Sequence, residues 1–96
     1  KEYDGAVGAF NKVVELNAGF PQIKDALEKA HYNLGIAYAK KGDMENAIYK
    51  LRKAIEIDPD NPDAHFALGI IYRAKWKIKE SEREISVYNR LKSGTN

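Results

Sequence analysis

The chain has 96 residues, with 16 Lys and Arg against 14 Asp and Glu and a net charge of +2. So balanced a charge gives no global attraction to nucleic acid or to an anionic membrane. The absence of Cys excludes disulfides and thiol chemistry, and no apolar run approaches the roughly 20 residues that span a bilayer.

Apolar residues recur at helical spacing almost throughout, which predicts five helices and no strand. The first covers about 2–17, with Ala6, Val7, Phe10, Val13, Val14 and Leu16 along one stripe, and Asn17-Ala18-Gly19 ends it. Pro21 suits the first turn of a second helix over about 21–41, whose stripe is Ile23, Leu27, Ala30, Leu34 and Tyr38. Gly42 terminates it, and Asp43 caps a third helix over about 44–57. Asp58-Pro59-Asp60-Asn61-Pro62 reads as a turn, with Asn61 as cap and Pro62 as first residue of a fourth helix over about 62–75. A fifth, dense in charge, covers about 77–92. The opening Lys1-Glu2-Tyr3, without an initiator Met and already inside an apolar pattern, reads as a piece of a longer protein. No signal sequence is visible, and the compartment stays open, with a slight lean to the cytoplasm.

Residues 30–41, AHYNLGIAYAKK, nearly repeat at 64–75, AHFALGIIYRAK. His31 recurs as His65, Leu34-Gly35 as Leu68-Gly69 and Tyr38 as Tyr72, each 34 positions on. A period of this size marks a stacked-helix array, in which each unit buries its apolar face on the next. The segment 28–61 resembles a complete tetratricopeptide repeat: Leu34-Gly35, Tyr38, Ala47, Leu51 and Pro59 fall at the intervals of that pattern, with His31 where it has Trp. Residues 62–95 resemble a second, more divergent repeat. Residues 1–20 resemble the second helix of a truncated one, and 21–27 are an insertion that lengthens the next helix. The resemblance implies an all-α fold, a right-handed α–α superhelix of antiparallel helix pairs. Gly35 and Gly69 inside helices, at the same phase of both repeats, predict close helix contact, since Gly there costs about 0.5–1 kcal/mol relative to Ala. His31, Leu34 and Tyr38 share one face and should meet the paired helix.

Several residues depart from the repeat. The stripe through Ile23 and Leu27 is covered by Leu16 and Phe20, or overhangs to dock a partner or a second copy. Trp76 stands at the position of Gly42, and Lys77 at that of Asp43. A bulky residue is poorly suited to the left-handed backbone that Gly42 adopts freely, so this second turn is expected to differ from the first. Trp76 either fills a local apolar notch or stands exposed as a partner anchor. Ser81 replaces Ala47, Tyr88 replaces Ala54, and the polar face of the last helix suits a terminal, capping unit or a degraded repeat inside a longer array.

No constellation supports catalysis, so the chain is not expected to be an enzyme or to need a cofactor. His31 and His65 are the only histidines and lack acidic or Cys partners at ligand spacing, which favours packing over a metal site. The Asp58–Asp63 run lacks the Gly and the distant Glu of a calcium loop. On a helix of about 3.6 residues per turn, Ile36 and Ile70 point roughly 150° away from the His-Leu-Tyr face. The same side carries Lys29, Tyr32, Asn33, Ala39 and Lys40 on one helix, and Asp63, Phe66, Ala67, Arg73 and Ala74 on the other. The resemblance implies that the first helix of each repeat lines a concave groove. Its expected partner-binding residues are Lys29, Tyr32, Asn33, Ile36, Lys40, Phe66, Ile70 and Arg73, with Trp76 as a secondary anchor, and its expected ligand is a peptide or helix of a protein partner. The alternative for Tyr32, Ile36, Phe66 and Ile70 is packing against adjacent helices. The resemblance to repeats that clamp acidic chaperone tails fails: Asn33 matches, but Asp63 and Ala67 stand where basic residues belong. Competing roles are self-assembly into homo-oligomers through exposed array ends, and a substrate-targeting arm of a larger enzyme. Nucleic-acid binding is not expected, because acidic residues follow Arg73, Lys75, Lys77 and Lys79 at once and no stacking aromatics align with them. Membrane insertion is not expected either.

Overall fold

A computed structural model describes residues 23–94. Four helices account for most of them: α1 (Lys24–Lys41), α2 (Met44–Ile57), α3 (Pro62–Ala74) and α4 (Ile78–Ser93). There is no strand among the described residues. The count is four rather than five because the first expected helix, over 2–17, lies outside the described residues, as do Leu16, Phe20 and Pro21. The second expected helix is described over Lys24–Lys41, and Ile23 before it provides no side-chain cap.

Local chemistry sets most boundaries. Gly42 takes the left-handed conformation at φ 93°, which stops α1, and the next amide returns to it, Asp43 N–H donating to Tyr38 O at 2.9 Å. Asp43 then caps α2, its Oδ1 accepting from the Asn46 amide at 3.2 Å. Asn61 caps α3 by accepting from the amides of Asp63 at 2.9 Å and Ala64 at 3.4 Å, with Pro62 in the first turn where a missing N–H is harmless. The Asp58–Asp63 run is a turn and helix start, as its Asp60 N–H to Asp58 Oδ1 bond of 3.1 Å also shows.

The fold is an all-α superhelix of antiparallel pairs. α1 packs chiefly on α2, α3 on α4, and α2 bridges the pairs by packing on α3. The core cluster is Tyr38, Ala47, Leu51, Leu68, Ile71 and Tyr72, and His31 and Leu34 are buried beside it. Fully burying an aliphatic side chain of this kind contributes about 1.5–3 kcal/mol. The two helical glycines have the expected cause. A Cβ on Gly35 would lie 2.7 Å from Leu51 Cγ and 3.2 Å from the Ala47 carbonyl oxygen; one on Gly69 would lie 2.6 Å from Ile85 Cδ1.

The turn between α3 and α4 corrects the expectation drawn from Trp76. It keeps the left-handed residue and the closing bonds of the α1–α2 turn, although α3 ends one repeat position earlier, with Lys75 as its C-cap. Trp76 adopts φ 61°, Trp76 N–H donates to Arg73 O at 3.0 Å, and Lys77 N–H donates to Tyr72 O at 2.8 Å. These match the Gly42 and Asp43 bonds one for one. The packing of α4 on α3 imposes the turn, and the residue follows. Trp76 is 85% exposed, so it fills no apolar notch.

Candidate functional site

α1 and α3 lead their pairs and lie one repeat apart. Their His-Leu-Tyr faces turn inward, with His31, Leu34 and Tyr38 and then His65, Leu68 and Tyr72 all buried. The opposite sides of the two helices face a shared trough of about 290 Å³, lined by Tyr32, Ile36, Ala39, Asp63, Phe66, Ala67, Ile70 and Ile71. It brings together Tyr32, Ile36, Phe66 and Ile70, the four apolar candidates. Ile70 is 50% and Phe66 42% exposed, whereas Tyr32 and Ile36 are half-buried. Phe66 also rests on Tyr88 of α4, with ring centres 4.8 Å apart and planes tilted by 45°. Burial, and then the nearby Asp63 and Glu28 charges, push the Tyr32 phenol above its ordinary pKa, which keeps the trough-wall hydroxyl protonated.

The polar candidates stand apart from the trough lining. Lys29, Asn33 and Lys40 are exposed on α1. Arg73 borders a second trough of about 470 Å³, which Phe66 and Ile70 share with Ser81, Glu82, Ile85, Ser86 and Asn89 of α4. Trp76 sits on the turn, outside both linings.

The second trough was missed from sequence, although the repeat contains its signal. Shifted back by 34 residues, Arg73, Glu82, Ser86 and Asn89 become Ala39, Ile48, Arg52 and Ile55. Those residues form the surface that receives α3: Ala39, Ile48 and Ile55 pack against the core cluster, and the Arg52 guanidinium donates to the Tyr72 hydroxyl at 3.0 Å. The same surface is thus presented again on the outer side of the second pair, with polar residues replacing much of its apolar content.

Inside the array, the two equivalent histidines face side chains of opposite charge. His65 Nδ1 contacts the Glu84 carboxylate at 2.7 Å, and its Nε2 meets the Pro59 carbonyl at 2.8 Å. The counterpart of Glu84 is Lys50, which is itself buried. Burial, and then Lys53, lower the Lys50 pKa. Both nitrogens of His31 are buried and have no hydrogen-bond partner among the described residues. Burial, followed by the Lys50 and Lys53 charges and opposed by Glu56, depresses its pKa to about 4. The buried Glu28 carboxylate accepts from the Asn61 side-chain amide, so Asn61 holds α1 while it caps α3. Burial pushes the Glu28 pKa up, against that bond. Among the described residues no cluster of His, Asp and Glu could hold a metal ion.

Paired helices stacked at a fixed step, with buried inner faces and an open trough between leading helices, define a helical-repeat interaction protein. Comparison with known proteins specifies the kind. Residues 37–75 match the TPR repeat family model. The chain is 33% identical over 107 positions to a TPR repeat-containing protein of Methanocaldococcus jannaschii, covering 84% of this chain and 19% of that one. It is 38% identical over 61 residues to the type IV pilus assembly protein PilF of Pseudomonas aeruginosa, covering 64% of this chain and 24% of PilF. Identity to anaphase-promoting complex subunit 3 of Schizosaccharomyces pombe is 27% over 90 residues, 94% of this chain and 12% of that subunit. The crystal structure of MamA is similar in fold, with a TM-score of 0.80 at 23% identity over 98% of this chain and 51% of MamA. The chain belongs to the tetratricopeptide repeat family and is a repeat module of protein–protein interaction. It spans only 24%, 19% and 12% of the lengths of the three curated relatives.

Proposed function

We propose that the chain binds an extended peptide or a helix of a protein partner in the trough between α1 and α3. One observation carries the reading: Tyr32, Ile36, Phe66 and Ile70 line a single open trough instead of being sealed within the core. Phe66 and Ile70 in particular keep 42% and 50% of their surface exposed. Apolar anchors of a ligand, spaced three or four residues apart on a helix, would bury these side chains. Lys29, Asn33, Lys40 and Arg73 supply polar and cationic groups on the same helices, suited to the ends or the acidic side chains of such a ligand.

Peptides selected from a displayed library against the whole chain provide the test. Anisotropy titrations then compare the wild type with Ile70→Glu and Ile36→Glu/Ile70→Glu. Selected sequences should carry paired apolar anchors, and Ile70→Glu should weaken their binding at least tenfold with unchanged helical content and melting temperature. Peptides that bind the variants equally well would refute the groove. Unfolding of the double variant, with Ile70→Glu harmless to binding, would favour a packing role.

A second reading, self-assembly through the array end, is supported by the outer trough, where Phe66, Ile70 and Ile85 remain apolar. The polar Arg73, Glu82, Ser86 and Asn89 around them suit a unit that meets water, so end-to-end association is the weaker reading. Sedimentation equilibrium at high concentration decides it, because a strict monomer leaves this face without a second copy.

A further inference from the structure

The α3–α4 turn repeats the left-handed position and closing hydrogen bonds of the α1–α2 turn and changes its chemistry. Trp76 holds a left-handed conformation at φ 61°, which a bulky side chain disfavours and for which Gly42 is suited. The next residue, Lys77, offers α4 no side-chain cap, whereas Asp43 caps α2. Two locally unfavourable residues stand side by side; helix packing and the two turn bonds hold the backbone, whereas the Trp76 side chain, 85% exposed, adds no buried packing of its own. Strain retained at an exposed residue is a signature of function. Basic side chains predominate around the turn, with Glu45 beside Lys75 and Lys77 as the acid among them. The stretch 73–79 carries Arg73, Lys75, Lys77 and Lys79 without an acid, and Lys40 and Lys41 stand exposed at the end of α1. A 2.7 Å ion pair from Lys75 to Glu45, in the first turn of α2, joins the two turns along one edge. The net charge of +2 conceals this local concentration.

We propose that this edge is an interfacial binding site for anionic lipid surfaces, with the Trp76 ring at headgroup level and the flanking lysines on the acidic headgroups. An indole flanked by flexible cations matches the boundary between water and hydrocarbon, where aromatic rings anchor and lysine stems reach back to the charged layer. The site is a projecting turn rather than a concavity, and Trp76 borders neither trough, which disfavours an acidic peptide. Single-stranded nucleic acid calls for successive stacking aromatics along a cationic track, and this stretch offers one ring. Seating one ring in the headgroup layer needs no membrane span, and none of the helices among the described residues is long and apolar enough to cross a membrane.

Trp76 is the single tryptophan of the chain, so its emission reports on this edge alone. The whole chain is titrated with vesicles of phosphatidylcholine containing about a third phosphatidylserine, an anionic content that gives the surface its negative potential, and with pure phosphatidylcholine vesicles. Blue-shifted emission and co-sedimentation are expected with the anionic vesicles only, and both should reverse at high salt. Neutralising Lys77 or Lys79 to Gln should lower the partition coefficient about fivefold each. Trp76→Gly should abolish co-sedimentation while preserving the helical spectrum, because Gly is suited to this backbone. The proposal fails if anionic vesicles leave the emission unchanged at low salt, or if pure phosphatidylcholine binds equally. It also fails if Trp76→Gly binds as the wild type does, or if an acidic peptide or single-stranded oligonucleotide shifts the emission where vesicles do not.

Discussion

Acidification should destabilise the array through His31, and the effect can be sized. Its pKa falls from an ordinary 6.5 to about 4 in the fold, because the ring is buried and faces Lys50 and Lys53, with Glu56 alone opposing. The unfolded chain therefore takes up the proton first. The stability that neutral His31 contributes is complete above the ordinary value and is lost as pH falls toward the folded one. Between pH 7.5 and pH 5 this linkage amounts to about 2 kcal/mol, a substantial part of the stability of a small domain. Glu28 titrates with the opposite sign: its raised pKa favours the protonated carboxyl in the fold, so its contribution is lost as pH rises. Glu45, lowered by its bond to Lys75, loses its contribution as pH falls below the ordinary carboxylate range. A difference measurement cancels both. Urea unfolding followed by circular dichroism from pH 7.5 to pH 5, on the wild type and on His31→Leu, should give a wild-type excess loss of about 2 kcal/mol. Because both ring nitrogens of His31 lack partners among the described residues, the apolar variant should be at least as stable at neutral pH. Parallel pH profiles for the two proteins would refute the reasoning.

The two helical glycines should respond unequally to Ala. At Gly35 the new methyl meets Leu51 Cγ, which is fully buried, and the Ala47 carbonyl, so thermal unfolding should show a loss of about 1–3 kcal/mol. At Gly69 it meets Ile85, which borders an open trough and can turn aside, so the propensity gain common to both sites is offset less by steric cost, and Gly69→Ala should be at least about 1 kcal/mol better than Gly35→Ala. Asn61→Ala removes the α3 cap and strands the buried Glu28 carboxylate, and chemical unfolding should register about 2–3 kcal/mol, more than a cap alone supplies.

Helix ends were legible in the sequence where a single residue's chemistry decides them. Asp43, Asn61 with Pro62, and Gly42 act through bonds to their own or adjacent turns, and each stands where its residue type implied. The inner faces were legible because a period of 34 residues combined with helical spacing fixes which side is buried. The turn at Trp76 was misread because the local preference of a residue yields to the docking of whole helices, and α4 must return along α3 whatever occupies the turn. The contrast between His31 and His65 was available in the repeat register, where Lys50 answers Glu84, but two histidines on matching faces looked alike until their partners were compared. The outer trough escaped notice for a related reason. Its polar residues read as an ordinary wet helix face until set against the apolar surface one period earlier.

Asn61 holds Glu28 through its amide nitrogen and the first turn of α3 through its amide oxygen. The cap bonds travel with α3, so the Glu28 bond is the tie that a change in the inclination of α3 against α1 has to strain or break. For the peptide binding proposed above, a tether already closed in the free chain means that less of the binding energy goes into rearranging the host.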